Sequence, residues 1–238
     1  MLLRMLGVSA LSAMAMSSAV AEEAKGPWKS EAELGVVMTG GNTESETIKA
    51  KGKLEYAKDR WTGSFALDSL YASTDDETTA ERYGAKAQAK YNFSGIQYVY
   101  GLIDYEKDRF SGFDYRVSES LGYGATVLDN GEVVINVEGG PGARQSKLED
   151  GGSDSEALFR LFAGLDWQIS EPAKFHQELS SEIGEDTTIS ESISELHTQV
   201  NGSLAMKVSY TLKHTSDVPE GVKNTDRETA VTLVYSFN

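Results

Sequence analysis

Apolar side chains occupy every second position in the last two segments of the chain. Between residues 204 and 212, leucine, methionine, valine and tyrosine alternate with small or polar residues, and no apolar position carries a charge. The alternation returns between residues 230 and 237 and ends on the aromatic pair Tyr235 and Phe237. A period of two indicates β-strands whose faces differ in polarity, because successive side chains point to opposite sides. The two segments are predicted to form a β-hairpin.

Similar segments fill the chain before this hairpin, separated by turn sequences such as Asp129-Asn130-Gly131 and not by any linker. Two of them are ambiguous: residues 97–107 do not separate into two faces, and serine and glutamate dominate residues 188–200. Pro141 lies inside another segment, where its missing N–H predicts a bulge or a kink. The pattern predicts an all-β, transmembrane, up-and-down antiparallel β-barrel of about 12 strands.

The connections between the segments are of two kinds. Every second connection is short, whereas most of the others are longer and acidic, for example residues 74–81. All three tryptophans and several other aromatic residues fall beside the short turns. Outer-membrane barrels have short turns at one rim, longer loops at the other and aromatic girdles, and an even strand number places both termini in the periplasm. A soluble secreted barrel is the alternative, but its strands are usually about five or six residues long.

The N-terminus carries the features of an export signal. Arg4 precedes an apolar run over residues 5–16, and small residues ending in Ala19-Val20-Ala21 follow it. We therefore predict a cleaved secretory signal peptide at residues 1–21 and an outer-membrane β-barrel at residues 22–238. A buried N-terminal helix is the alternative. No later segment approaches the roughly 18 consecutive apolar residues of a membrane helix, so the predicted location is the bacterial outer membrane.

The composition narrows the range of partners. The net charge is −15, which argues against nucleic acid because phosphates need a basic surface. The chain has no cysteine, so it forms no disulfide and has no thiol chemistry. The expected partners are outer-membrane lipid or lipopolysaccharide, the barrel-assembly machinery acting on the C-terminal strand, and small solutes or ions.

Histidines are the main candidates for catalysis. The three histidines, His176, His197 and His214, lie on different segments without metal-ligand spacing. His176 shares a polar face with Glu178, where a hydrolytic dyad is conceivable, but no particular serine stands out. We therefore expect no enzyme activity, no catalytic or metal-binding residue and no cofactor, with an outer-membrane hydrolase as the least favoured alternative.

Short glycine-rich motifs resemble a known family. Gly41-Asn42-Thr43 after the first segment, Leu121-Gly-Tyr-Gly-Ala, and Gly140-Pro-Gly-Ala-Arg144 are similar to hairpins of a bacterial domain family of unknown function, described as salt-induced outer-membrane proteins. The likeness extends over nearly the whole predicted mature chain, residues 22–238, although Ala143 replaces an expected aromatic residue. The resemblance implies an outer-membrane barrel and supplies no catalytic residues.

The polar faces of the segments carry the charges that would line a lumen. Basic residues come from the second, fourth and eleventh segments, and mostly acidic ones from the seventh to the ninth, which predicts a basic wall and an acidic wall. The predicted lumen residues are Lys49, Lys51, Lys53, Lys86, Lys90, Glu138, Arg160, Asp166, Glu178, Glu182, Lys207 and Lys213.

Two functions follow from such a lumen. If water separates the walls, the barrel is a narrow passive pore whose charges bias the solutes that pass. If the charges pair across the lumen, it is a self-plugged structural or interaction barrel that presents acidic loops outside. Twelve strands lie between small filled barrels and wide porins, so strand number does not decide. The apparent lack of a long inserted loop favours the pore.

Overall fold

The computed structural model describes residues 26–39, 45–148 and 151–237, which form one closed antiparallel β-barrel. The predicted signal peptide and the Gly41-Asn42-Thr43 motif lie outside the described residues. No helix in the described part of the chain has the length and apolarity needed to cross a membrane. The strands are Trp28–Thr39 (β1), Ser45–Lys58 (β2), Trp61–Thr74 (β3), Glu77–Asn92 (β4), Gln97–Asp108 (β5), Phe113–Asp129 (β6), Val133–Leu148 (β7), Ser153–Ser170 (β8), Ala173–Gly184 (β9), Thr188–Gln199 (β10), Leu204–Thr215 (β11) and Thr225–Phe237 (β12).

Each strand pairs with its sequence neighbours, and β1 pairs with β12 to close the barrel. The up-and-down barrel of twelve strands predicted from the alternation is therefore confirmed. Both ends of the barrel chain lie at one rim, here called the terminal rim, together with the turns at 59–60, 93–96, 130–132, 171–172 and 200–203. The opposite rim, here called the loop rim, carries the other connections.

The barrel is apolar outside and polar inside. Leu67, Leu121 and Val231 face outward and are 51%, 70% and 55% exposed, whereas the inward Arg144 and Lys207 are 2% and 3% exposed. A soluble barrel has the reverse arrangement, with its apolar side chains packed in the interior. At the terminal rim, outward aromatic rings contact one another. Trp28–Tyr56 and Trp61–Tyr91 join neighbouring strands, and Phe93 in the β4–β5 turn contacts Tyr123 on β6.

The predicted contrast between short and long connections is wrong for most of the described loop rim. Residues 74–81 form no acidic loop, because Asp75 and Asp76 make a two-residue turn and β4 already begins at Glu77. Both aspartates have positive φ, 49° and 63°, as a tight type I′ hairpin requires, and aspartate tolerates this conformation better than most residues. The exception is the nine-residue β11–β12 loop, residues 216–224.

The two ambiguous strands have defined faces in the barrel. On β5 the inward residues include Tyr98, Tyr100 and Leu102, all 3–4% exposed. The two tyrosine rings pack against glycines of β6, where a Cβ at Gly124 would come within 2.3 Å of the Tyr98 ring. On β10 the usual polarity is reversed over residues 189–194: the isoleucines share the inward parity of Glu191, and the serines face outward. A rule that places apolar residues outside and polar residues inside does not predict these faces, because the interior also accommodates apolar side chains.

Pro141 makes neither a bulge nor a change of register. The pairing of β7 with β8 runs straight through it, and the pairing with β6 keeps its register on both sides while two rungs are missing. Gly140 allows β6 and β7 to approach closely here, since a Cβ on it would lie 2.1 Å from the Leu121 carbonyl oxygen. The predicted bulge is therefore wrong, because loss of the proline N–H removes hydrogen bonds without displacing the strand.

Candidate functional site

The barrel interior contains all of the predicted lumen residues. The twelve residues have the inward parity of their strands, as the register shows: Lys51, for example, lies between Glu33 on β1 and Asp68 on β3. Several reach side chains on strands that are not neighbours, which is possible only through the interior. Their proposed role as the lining of a conducting lumen is a functional prediction, taken up below.

The charges are interleaved and do not form a basic wall facing an acidic wall. Most of the predicted lysines pair with carboxylates that the sequence analysis did not select. These pairs are Lys49–Glu228, Lys53–Glu55, Lys86–Asp104, Lys207–Glu33, Lys207–Glu195 and Lys213–Glu106. Within the described residues Lys51 has no ion pair. These carboxylates have the inward parity of their strands, so the alternation pattern could have identified them.

Glu138 is the centre of one buried cluster. Its carboxylate accepts hydrogen bonds from Lys90 at 2.7 Å, Arg160 at 2.9 Å, Tyr98 at 3.1 Å and Gln88 at 3.2 Å. The donors come from β4, β5 and β8, so this one side chain ties four strands together on one side of the interior. Buried charges of this kind are tolerated because each is paired and hydrogen-bonded.

A second cluster lies nearer the loop rim and is centred on Arg144. The guanidinium donates to Glu156 Oε1 at 2.6 Å and 3.0 Å, to Glu182 Oε2 at 3.4 Å, and to the Thr187 carbonyl oxygen. Ser118 on β6 also donates to Glu182, at 2.9 Å. The sequence analysis noted Arg144 only as part of a motif and missed its partner Glu156.

The histidines have separate environments. His176 lies between Asp166 Oδ1 and Glu178 Oε1, each 3.0 Å from one ring nitrogen. His197 Nε2 lies 3.1 Å from Glu195 Oε2. His214 faces outward and contacts Thr225 at 2.9 Å.

A cavity of about 520 Å³ occupies the terminal-rim half of the interior, and we call it the vestibule. It lies on the side formed by β8–β12, β1 and β2, away from the Tyr98 and Tyr100 rings. Its lining is almost wholly polar and carries both signs of charge. The charged and histidine residues lining it are Glu31, Glu33, Lys51, Lys53, Glu55, Asp166, Glu171, Lys174, His176, Glu195, His197 and Lys207.

At the loop rim, two contacts cross the mouth. Lys213 on β11 forms an ion pair with Glu106 on β5, and five strands separate β5 from β11 in either direction around the barrel. Above it, the β11–β12 loop reaches the same opposite wall, where Pro219 Cγ lies 2.8 Å from the Cβ position of Gly112. The expectation that no loop constricts the lumen is therefore wrong.

A third contact extends this closure to other strands. Glu228 on β12 accepts from Lys49 on β2 at 2.5 Å and from Arg82 on β4 at 2.6 Å. The interior is thus a polar vestibule at the terminal rim and a mouth bridged by side chains and one loop at the loop rim. Such an arrangement can hold or pass a small polar solute.

Comparison with solved structures gives outer-membrane barrels. The chain is similar to the NanC porin with a TM-score of 0.56, 9% identity, and coverage of 89% of this chain and 100% of the porin. It is also similar to the COG4313 outer membrane channel from Pseudomonas putida F1, with a TM-score of 0.53, 9% identity, and coverage of 89% and 96%. At such identities these likenesses show the fold alone, an outer-membrane type of β-barrel.

Sequence comparison adds a relative and a family. The chain is 30% identical to the uncharacterized protein YdiY of Escherichia coli K12 over 215 residues, which are 90% of this chain and 85% of that protein. The family model described as "Protein of unknown function, DUF481" matches residues 32–237. The family resemblance carried by the glycine-rich motifs is thereby confirmed, and the chain belongs to the DUF481 family.

Proposed function

We propose that this protein is a narrow passive pore of the bacterial outer membrane, which admits small polar solutes or ions through a charged lumen. The observation that carries the proposal is the polar vestibule of about 520 Å³ inside a barrel whose outer face is apolar. A packed interior would suffice for a purely structural barrel, whereas an aqueous cavity lined by charges provides room and hydrogen bonds for a hydrated solute.

The outward apolar side chains and the aromatic contacts at the terminal rim support a membrane location. An exposed apolar surface around most of the barrel is costly in water and favourable in lipid. The names of the similar barrels, a porin and an outer membrane channel, agree with this location and with a pore. In this orientation the terminal rim faces the periplasm, and the C-terminal strand is presented to the barrel-assembly machinery.

The bridged loop rim makes the pore a gated one. The Lys213–Glu106 ion pair and the Pro219–Gly112 contact must separate before a solute passes. The second candidate, a self-plugged structural or interaction barrel, is favoured by the same two contacts if they never open. An outer-membrane hydrolase gains no support from the geometry of the three histidines.

Single-channel conductance in a planar bilayer separates the two candidates. The variants are a loop-shortened barrel in which residues 217–223 are replaced by two glycines, and the double substitution Lys213→Met with Glu106→Gln. Lys107→Met is the matched control, because Lys107 pairs with Asp114 near the loop rim and both side chains are about half exposed. A pore gives discrete current steps that become longer-lived in the first two variants and stay unchanged in the control.

Folding must be shown independently, by heat-modifiable migration in electrophoresis. Silence from folded and inserted wild-type and loop-shortened barrels would reject the pore and leave the self-plugged barrel. Current steps of identical lifetime in all variants would show that the contacts at the loop rim do not limit conduction.

A further inference from the structure

Within the part of the chain that the structure describes, Arg116 is a buried cation without a hydrogen-bonding or ion-pair partner. It faces the interior from β6, between Glu106 on β5 and Ser146 on β7, and is only 8% exposed. Its guanidinium lies over the Phe113 ring, 3.7 Å from the ring centroid. Among the described residues it makes no hydrogen bond and no ion pair. Buried arginines are normally paired, whereas the unpaired N–H groups of Arg116 keep some exposure and are therefore accessible from the interior.

The carboxylates around Arg116 are already engaged. Its charged neighbours are Glu106, Asp108, Glu182 and Arg144. Lys213 binds both oxygens of Glu106, the Phe110 N–H donates to Asp108 at 2.9 Å, and Arg144 and Ser118 donate to Glu182.

The stacking on Phe113 adds a geometric constraint. A ring against one face of the guanidinium leaves its planar edge of N–H donors as the direction open to a ligand. Two parallel N–H groups at that edge match the two oxygens of a carboxylate. A ligand of this shape satisfies the donors without displacing the ion pairs of Glu106 and Glu182 or the backbone hydrogen bond to Asp108.

The position of Arg116 is on the path that a solute takes through the loop rim. Gly112, one residue before Phe113, is the point that Pro219 touches across the mouth. Glu106, the cross-strand neighbour of Arg116, is the residue that Lys213 reaches from the opposite wall. Arg116 therefore lies beneath the β11–β12 loop and beside the ion pair.

We propose that Arg116 and Phe113 form a recognition site for the carboxylate group of a small organic anion beneath the β11–β12 loop. The inference rests on the proposed function in one respect, that the ligand is a solute entering through the lumen. Recognition itself requires only the folded barrel. Arg116 acts as the binding residue, and Phe113 positions its guanidinium.

Saturation-transfer NMR with sodium acetate tests the site on the full folded barrel in deuterated detergent, at constant chloride. The barrels are wild type, Arg116→Gln, Arg116→Lys and the loop-shortened variant. Arg109→Gln is the matched control, because Arg109 lies in the same hairpin but is exposed and paired with Glu81. We expect acetate to bind wild type and the loop-shortened barrel, with affinity about tenfold weaker in Arg116→Gln and almost unchanged in the control. Arg116→Lys keeps the positive charge but lacks the planar guanidinium, so its acetate affinity should lie between those of wild type and Arg116→Gln.

Equal acetate binding by wild type and Arg116→Gln, or no binding even by the loop-shortened barrel, would overturn the site. Equal competition by phosphate would overturn its assignment to carboxylates. If Arg116→Gln does not fold, the Arg116→Lys comparison decides. A barrel that conducts without Arg116-dependent binding contradicts only this inference, whereas a silent barrel that binds acetate through Arg116 contradicts only the pore.

Discussion

Glu138 shows what a single residue must do in this interior. Its side chain has no exposed surface, and Arg160 beside it is 4% exposed. Desolvating such charges is costly, and their attraction offsets that cost only when the geometry is good and the remaining hydrogen bonds are satisfied. Four donors meet this condition here. The stability of this side of the barrel therefore depends on one carboxylate.

Replacing Glu138 by glutamine should lower the free energy of unfolding by about 3 kcal/mol, because the buried Arg160 and the partly exposed Lys90 would lose their counter-charge. The measurement is guanidinium unfolding of the refolded barrel in lipid vesicles, followed by tryptophan fluorescence. Glu132→Gln is the control, since Glu132 is exposed in the turn at residues 130–132, and we expect a change within about 0.5 kcal/mol. Equal effects of the two substitutions would show that the Glu138 cluster contributes little.

At the scale of the elements, the strand pairings are unequal. The seam between β1 and β12 has five registered pairs, Ser30–Leu34 against Leu233–Phe237. The pairing of β11 with β12 has eleven and that of β7 with β8 has fifteen. Among the described residues, the β1 side of residues 228–232 therefore lacks ladder partners. Backbone groups without partners open more readily and are the places where a sheet loses protection first.

The seam predicts a gradient of hydrogen exchange along β12. Amides of residues 228–232 that point toward β1 should exchange at least about tenfold faster than amides of the same strand that bond to β11. Residues 233–235 serve as the internal control, because they are paired on both sides. NMR of the barrel in detergent micelles measures each amide. Uniform protection of the amides along β12 would contradict the lack of β1 partners toward the loop rim.

At the scale of the whole molecule, the lumen depends on contacts between distant parts of the chain. Lys213 and Glu106 are 107 positions apart, and Lys49 and Glu228 are 179 positions apart. Closure of the barrel brings them together and makes the loop rim the narrow end. The vestibule stays open on the side away from the Tyr98 and Tyr100 rings, so solutes would follow an off-centre path past Lys51 and Lys53.

Reversing the charges along that path should change ion selectivity. Replacing Lys51, Lys53 and Lys86 together by glutamate makes the lumen more negative, so we expect a shift toward cations. The reversal potential of the loop-shortened barrel in a salt gradient measures this. Lys107→Glu is the control, because Lys107 is outside the lumen and about half exposed. An unchanged reversal potential in a conducting triple variant would contradict the assignment of these lysines to the lumen.

Polarity alternation correctly predicted those features that depend only on neighbouring residues. In a strand, the face of a residue follows from its parity, so the twelve strands and the inward position of residues such as Lys49 and Glu178 could be derived without coordinates. Parity alone could not identify the inward face on strands whose two faces have similar polarity. On β10 the isoleucines lie inside with Glu191, an arrangement that a rule placing apolar residues outside does not predict.

The sequence by itself determined the class of fold, the number of strands and, on the strands with clear alternation, the face on which a charge lies, because all three follow from a period of two. Only the tertiary structure decided which charges meet. The pairing of Glu106 with Lys213, the contact of Pro219 with Gly112 and the lack of a partner for Arg116 depend on barrel circumference and strand stagger. These are properties of the closed ring of strands, and no segment of the chain contains them.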